Sequence, residues 1–539
     1  MTSSSSQHSE RNFYQEYKKI IIPFGVVIFL AILLFVAVRY IESTAEKQLL
    51  EMANRELAPN AKIEIQDFSL GLLPPRIHIT GIRLIHEEPF EDQTPSKPLD
   101  TIRHLEVRSA ELSGINLFKL IRGTEWGLGN FTIDGLDLEM VPTTSDRLTD
   151  SSPLEHPLDV TISQVNINDG TFKTFPSRNS ETARYHADGI YLDIENISIT
   201  DPENPLHTYF DHFKLEVANA EQVSDDGNYK LRVENFLADS RDELLSLQFF
   251  EAKPQSSAYE ISADFGKQHD IYTIEGGPFT FSGFKLIEWF EYEDIWLSYA
   301  EINDLSLIIE REKSFERGPR NERPLPNRQL KDLPFSVKAD SLRWVNGKVS
   351  YTEQHSEDNR SGTILFTDIN LLIESLQNSD ENEVIPVTAT SRFMDSSELS
   401  IEFEFYADDT ANHRVKASLS EMNLKDVNNP LENLAGIRVR EGNLTQLDFT
   451  FHADDYRSEG DLRMIYSDLS LRLLDEETME EDRGTRFRSF FANTFAVRSD
   501  NNSEDPRIGA IDFDREKERS IFNFWWNSIK TGLEDTVRR

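Results

Sequence analysis

Ile133-Asp134-Gly135-Leu136-Asp137-Leu138 decides the fold, because the chain writes this pattern three times. It returns as Ile302-Asn303-Asp304-Leu305-Ser306-Leu307 and is preceded by Ile79-Thr80-Gly81-Ile82-Arg83-Leu84. In each copy the apolar positions alternate, slip by one residue at Gly81, Gly135 or Asp304, and alternate again. Successive strand side chains point to opposite faces, so a slip of one would misdirect every later side chain unless the backbone bulges there. The pattern therefore reads as a kinked strand that keeps one apolar face. Its candidate lining is Ile79, Ile82, Leu84, Ile133, Leu136, Leu138, Ile302, Leu305 and Leu307.

The later two copies belong to a longer unit. Ser113-Gly114-Ile115 stands ahead of one and Ser282-Gly283-Phe284 ahead of the other, at a constant offset of 169 residues. A second repeated element follows each: Val165-Asn166-Ile167-Asn168-Asp169-Gly170-Thr171-Phe172 matches Leu342-Arg343-Trp344-Val345-Asn346-Gly347-Lys348-Val349. Its Asp-Gly and Asn-Gly pairs, flanked by apolar alternation, predict hairpin turns. Two homologous regions result, about 105–200 and 274–377. A mainly β fold built by repetition is the expectation.

Lys and Arg total 56 against 95 Asp and Glu, a formal net charge of −39. Such a surface repels a polyanion, so no nucleic-acid partner is expected. The absence of cysteine excludes disulfides and thiolate metal sites. The sequence holds no phosphate-binding P-loop, dinucleotide fingerprint, His-Glu-x-x-His or nucleophile elbow. The twelve histidines are scattered, and His78, between Ile77 and Ile79, reads as a packed or surface residue. Neither an enzyme nor a cofactor or metal site is expected.

Ile20 to Val38 runs for 19 residues without a charge, between Lys18-Lys19 and Arg39. At 1.5 Å per residue this is roughly 28 Å of helix, close to the hydrocarbon core of a bilayer. A cleaved signal peptide is the rival reading, but its apolar region would be shorter. The segment is thus expected to be a single-pass membrane anchor, made by Ile20, Ile21, Ile22, Val26, Phe29, Leu33, Phe35 and Val38. Basic residues near its ends are too evenly divided to set its orientation.

Around this anchor the chain divides into a disordered tail (1–17), the anchor (18–39), a juxtamembrane helix (40–60), and β regions at 61–200, 201–380 and 381–515. Ser314 to Arg328 reads as a linker-like loop, and the acidic run Asp475 to Asp482 as a solvated one. Residues 516–539 form an amphipathic helix with Ser520 as N-cap and Phe522, Trp525, Trp526, Ile529 and Leu533 at helical spacing. That aromatic face either seals the end of the sheet or touches a membrane or partner.

Phe68-Ser69-Leu70-Gly71-Leu72-Leu73-Pro74 leading to Ile79-Thr80-Gly81-Ile82-Arg83-Leu84, behind an N-terminal anchor, resembles the opening of bacterial AsmA-like proteins. Gly442-Asn443-Leu444, Ser458-Glu459-Gly460-Asp461-Leu462 and Tyr466-Ser467-Asp468-Leu469 are similar to that family's C-terminal region, as is Arg507-Ile508-Gly509-Ala510-Ile511 followed by Ile521-Phe522-Asn523-Phe524-Trp525. The resemblance implies an elongated, strongly curved antiparallel sheet forming a trough with an apolar inner face. It implies anchoring in the inner membrane of a Gram-negative-type bacterium, with the bulk of the chain in the periplasm. The implied function is envelope biogenesis, holding or conducting lipid, phospholipid above all, between inner and outer membrane. A periplasmic or outer-membrane protein partner is compatible with it. An assembly or structural factor for outer-membrane proteins, carrying no lipid, is the alternative. A pair of β-sandwiches is a third reading, and it requires the two repeats to close on separate cores.

Overall fold

The structure, a computed structural model, describes residues 61–72, 75–86, 101–114, 126–141, 160–199, 208–292, 294–318, 321–355, 360–379, 383–474 and 497–538. The fold is mainly β. By packing it divides into two compact units, one of residues up to 224 with 232–242, the other of 225–231 with 243 onward. The anchor residues Ile20 to Val38, the tail, the juxtamembrane helix and the acidic run lie outside the described residues. Among the described residues no helix is long and apolar enough to cross a membrane.

The first unit holds β1 (Ala61–Glu64), β2 (Asp67–Leu72), β3 (Pro75–His86), β4 (Ile102–Ser113) and β5 (Trp126–Met140). It continues with β6 (Val160–Thr174), β7 (Tyr185–Ile199), β8 (Thr208–Tyr209) and β9 (His212–Val223). Strand β10 (Tyr229–Asp239) crosses the boundary between the units. Antiparallel pairing links β3 to β4, β4 to β5, β6 to β7 and β7 to β9. The step from β5 to β6 is parallel, with Ile133 beside Ile167.

The second unit opens with β11 (Leu244–Leu247), β12 (Phe249–Pro254), α1 (Ala258–Phe265), β13 (Asp270–Gly276), β14 (Phe279–Ser282) and α2 (Leu286–Tyr292). Then come β15 (Ile295–Asn303), β16 (Ser306–Glu312), α3 (Pro326–Lys331), β17 (Val337–His355) and β18 (Arg360–Gln377). The remainder is β19 (Val384–Phe393), β20 (Ser397–Tyr406), β21 (His413–Leu419), β22 (Met422–Asn423), β23 (Ile437–Ala453), β24 (Arg457–Leu473), β25 (Ile508–Asp514) and α4 (Ile521–Val537). Here too one step is parallel: both β15 and β16 pair with β17 in the same direction.

The repeat thus extends to topology, and the expectation of a purely antiparallel sheet is corrected. In each copy a kinked strand is followed by a parallel strand and then an antiparallel return. Parallel neighbours need a long crossover, and in the second unit it falls between β16 and β17, where α3 lies. Ser314 to Arg328 is therefore part of a crossover rather than a free linker. Its end is anchored: Leu325 is fully buried, and the Asn327 amide donates to the carbonyls of Tyr406 (2.9 Å) and Asn412 (3.1 Å).

The slips prove to be single left-handed residues placed in register on neighbouring strands. Gly81 (φ 62°) and Gly135 (φ 65°) both stand opposite Arg108, and Gly135 lies beside Asp169 (φ 58°). The second unit repeats the line with Asp304 (φ 51°), Asn346 (φ 56°) and Asp368 (φ 51°). Gly, Asn and Asp adopt this conformation at least cost. The Asp-Gly and Asn-Gly pairs are therefore mid-strand kinks, not the expected hairpin turns. Because neighbouring strands slip together, the apolar face stays continuous.

At Gly135 the kink also needs space. A Cβ there would stand 2.8 Å from the Arg108 guanidinium carbon, whose Nη2 reaches over to Asp169 at 2.7 Å. Gly135→Val should destabilise the first unit by about 2 kcal/mol, since a β-branched residue is strained at positive φ. Gly135→Asn should cost clearly less. Urea unfolding of the two variants checks the order, and equal losses would contradict the left-handed assignment.

Candidate functional site

The slip positions put the candidate lining residues on one face in both units, but with different burial. In the first unit one row runs Ile79, Ala110, Ile133, Ile167, Leu192, Leu215 across consecutive strands. Ile79 and Ile133 are 1% exposed, Leu138 2%, Ile82 and Leu84 8%, and Leu136 9%. These six residues sit inside a packed core with Leu112, Phe131 and Ile194. All six lie on one face of the sheet, and each is buried.

In the second unit the equivalent residues Ile302, Leu305 and Leu307 are only half-buried. Ile302 belongs to the row Phe279, Ile302, Trp344, Leu371, Ala389, Ile401. A parallel row runs Phe281, Ala300, Leu342, Ile373, Val387, Phe403. Between the two rows, on the opposite face, come Thr280, Glu301, Arg343, Leu372, Thr388 and Glu402. Leu372 is the one apolar member of that row. The sheet over β14–β20 is thus apolar on one side and polar on the other, and most side chains of its apolar rows keep part of their surface exposed.

Along the strands this apolar face ends in a charged row. Beyond Tyr272, Ile309 and Tyr351 come Asp270, Arg311 and Glu353, paired side by side. Arg311 grips Asp270 through two hydrogen bonds (2.5 and 2.6 Å), while Glu353 accepts from Lys313 (2.8 Å) and Tyr351 (2.7 Å). Burial opposes the charge on Glu353, but Lys313 and the hydrogen bonds from Lys313 and Tyr351 outweigh it and hold the carboxyl below its usual range. Burial, reinforced by the Glu353 charge, pushes the Tyr351 hydroxyl well above the ordinary range for tyrosine. The row is charge-balanced and fully engaged. A nearby apolar cleft of about 350 Å³, lined by Tyr229, Phe265, Tyr272 and Ile274, holds two carboxylates, Asp226 and Asp270, of which Asp270 is already engaged by Arg311.

The same face continues into β21–β24, where α4 covers it. Phe451 and Leu462 are fully buried, and Val415 is 3% exposed. Trp525 stacks on Phe403 with ring centroids 5.1 Å apart. The buried stripe of α4 is Ile521, Phe524, Ser528, Gly532 and Thr536, flanked by Trp525, Ile529 and Leu533. Phe522 (68% exposed) and Trp526 (45%) point away. The apolar stripe expected from sequence is therefore rotated, because small residues rather than the largest aromatics make the closest contact. A Cβ at Gly509 would lie 2.0 Å from the Gly532 carbonyl oxygen, so strand and helix touch through two glycines.

Helix α4 also satisfies the outer edge of β25. The Ala510 N–H donates to Asp535 Oδ2 (3.1 Å) and the Asp512 N–H to Thr531 Oγ1 (3.2 Å). An unpaired edge is a template for aggregation, and here side chains of a helix take its donors. The helix thus covers the edge of β25, while Phe522 and Trp526 stay exposed.

His413, 2% exposed, locks the helix in place. Its Nδ1 lies 2.9 Å from the Ala411 carbonyl and its Nε2 accepts from the Trp525 indole N–H at 3.0 Å. Because the indole only donates, the ring must be neutral with its proton on Nδ1. Burial lowers its proton affinity below the ordinary value of 6.5. The unfolded chain then binds the proton more readily than the folded one, so this contribution is complete above about pH 6.5 and is lost as the pH falls towards the depressed folded value. Thermal unfolding from pH 7.5 to 5 should show the second unit weakening, and His413→Gln should flatten that slope. No protein-family model matches the chain, and no curated protein is similar to it.

Proposed function

We propose that the chain is a non-catalytic lipid-holding protein of a bacterial envelope. It is held at the inner membrane by Ile20 to Val38, with its β body in the periplasm, and serves the passage of phospholipid towards the outer membrane. Acyl chains lie on the apolar rows of the second unit, around Ile302, Trp344 and Leu371, with polar heads towards the charged row at Arg311 and Glu353. The observation that carries this reading is the two-sided sheet of β14–β20, apolar and part-exposed on one side and polar on the other. Water-exposed apolar surface of this extent is costly, and an acyl chain covering it gains on the order of 25 cal/mol per Å2. Such a role needs no reacting group. It is also the role that a resemblance to AsmA-like proteins implies.

A second reading has its own observation. The apolar face of the first unit is buried in a core cluster and offers lipid little open surface, which favours an assembly factor for outer-membrane proteins, free of lipid cargo. Native mass spectrometry with lipid extraction, on the full chain in mild detergent, separates the two. Phospholipid retained by the protein supports lipid holding; a lipid-free mass across gentle conditions overturns it in favour of the assembly role.

A further inference from the structure

We infer that Asp193, Glu195 and His212 of the first unit form a binding site for a first-row divalent cation of the Zn2+ class. Asp193 and Glu195 stand two apart on β7, and His212 at the start of β9 faces Glu195 across the strand pair. One ligand atom from each lies within 4.8 Å of the other two. Shifts on the order of 1 Å bring such atoms to the separation that a tetrahedral ion with bonds of about 2.0–2.2 Å requires.

A second observation separates this trio from a chance acidic cluster. Each side chain has one polar atom already held by a neighbour. Gln164 Nε2 donates to Asp193 Oδ1 (2.9 Å), and Arg241 Nη2 donates to Glu195 Oε2 (2.9 Å). His212 Nδ1 lies 3.2 Å from Ser240 Oγ and 3.9 Å from Asp239 Oδ1. Among the described residues, no hydrogen bond holds Asp193 Oδ2, Glu195 Oε1 or His212 Nε2. Outer partners that fix a histidine tautomer and orient carboxylates are the arrangement found behind metal ligands.

Burial and charge agree with this. His212 is only 4% exposed, and its imidazole lies beside two carboxylates. Lys214, opposite Asp193, turns its ammonium to Glu216 at 2.9 Å. Four carboxylates (Asp193, Glu195, Glu216, Asp239) outnumber the two cations (Lys214, Arg241) around the histidine. A nitrogen with two carboxylate oxygens suits Zn2+ and similar ions better than Mg2+, which prefers oxygen alone. The ion would tie β9 to β7.

The test uses the full chain in detergent, stripped by chelation and kept in millimolar Mg2+ to occupy oxygen-only surface sites. Zn2+ is then titrated calorimetrically. The expected result is one saturable equivalent, weakened at least ~10-fold by Glu195→Gln and by Asp193→Asn. Both carboxylates are half-buried, and these near-isosteric variants keep the sheet, which circular dichroism verifies. No saturable uptake by the unaltered chain would overturn the assignment, as would unchanged affinity in both folded variants.

Discussion

Ile302→Asp and Leu371→Asp, alone or together, should cut the phospholipid that co-purifies with the chain by tenfold or more. Both residues flank Trp344 in one row of the second unit's apolar face, and both are half-buried. An acyl chain laid across that row would cover a carboxylate that has no partner there. Burying an unpaired carboxylate costs several kcal/mol even after relaxation, against about 0.8 kcal/mol gained per buried methylene. An acyl chain that lifts away from the carboxylate instead gives up the burial of about two or three methylenes, roughly 2 kcal/mol, and each 1.4 kcal/mol is a factor of ten. Because the side chains are part-exposed, the new carboxylates reach water in the lipid-free protein and the fold survives. Thr388→Asp, on the polar side of the same strands, is the control and should leave lipid unchanged. Equal loss from the control, or retention in the double variant, would contradict a lipid-bearing face.

The largest effect on stability is expected at Phe524. It is 1% exposed beneath α4, packed against Phe513 with centroids 6.3 Å apart and edge-on to His413 at 6.4 Å. Phe524→Ala should cost the second unit about 3–5 kcal/mol, the range for emptying a buried aromatic site. Phe522→Ala, two residues earlier on the same helix but 68% exposed, should stay within about 0.5 kcal/mol. Denaturant unfolding of both variants measures the contrast. Weakening α4 also uncovers the Ala510 and Asp512 N–H groups of β25, so Phe524→Ala should aggregate sooner. Similar losses at the two positions would mean that the buried stripe has been misplaced.

The kinked strands were legible in sequence because period-two alternation interrupted by a single Gly, Asp or Asn has few other readings. Gly81, Gly135 and Asp304 all proved left-handed. The same chemistry misled at Asp169-Gly170 and Asn346-Gly347, since an Asp or Asn at positive φ serves a hairpin turn and a mid-strand kink equally well. The parallel steps were not legible. A strand's pattern records which face is apolar, not the direction of its neighbour. The rotated stripe of α4 escaped because Ser528, Gly532 and Thr536 carry no hydrophobic signal, although they allow the closest approach to the sheet. Nor can sequence tell Ile133, enclosed in a core, from its repeat partner Ile302, part-exposed, because the two stretches read alike. The Asp193, Glu195 and His212 trio was invisible because strand pairing, not spacing, unites it.

Photo-crosslinking with a phospholipid that carries a diazirine near the end of one acyl chain tests the lipid-bearing face most directly. After irradiation of the lipid-loaded full chain, adducts are mapped by peptide mass spectrometry. Adducts are expected on Phe281, Ile302, Trp344 and Leu371, and not on Thr280, Glu301, Arg343 or Thr388 from the opposite side of the same strands. Labelling spread evenly over both sides, or confined to residues outside the second unit's apolar rows, would contradict the claim that this face carries lipid.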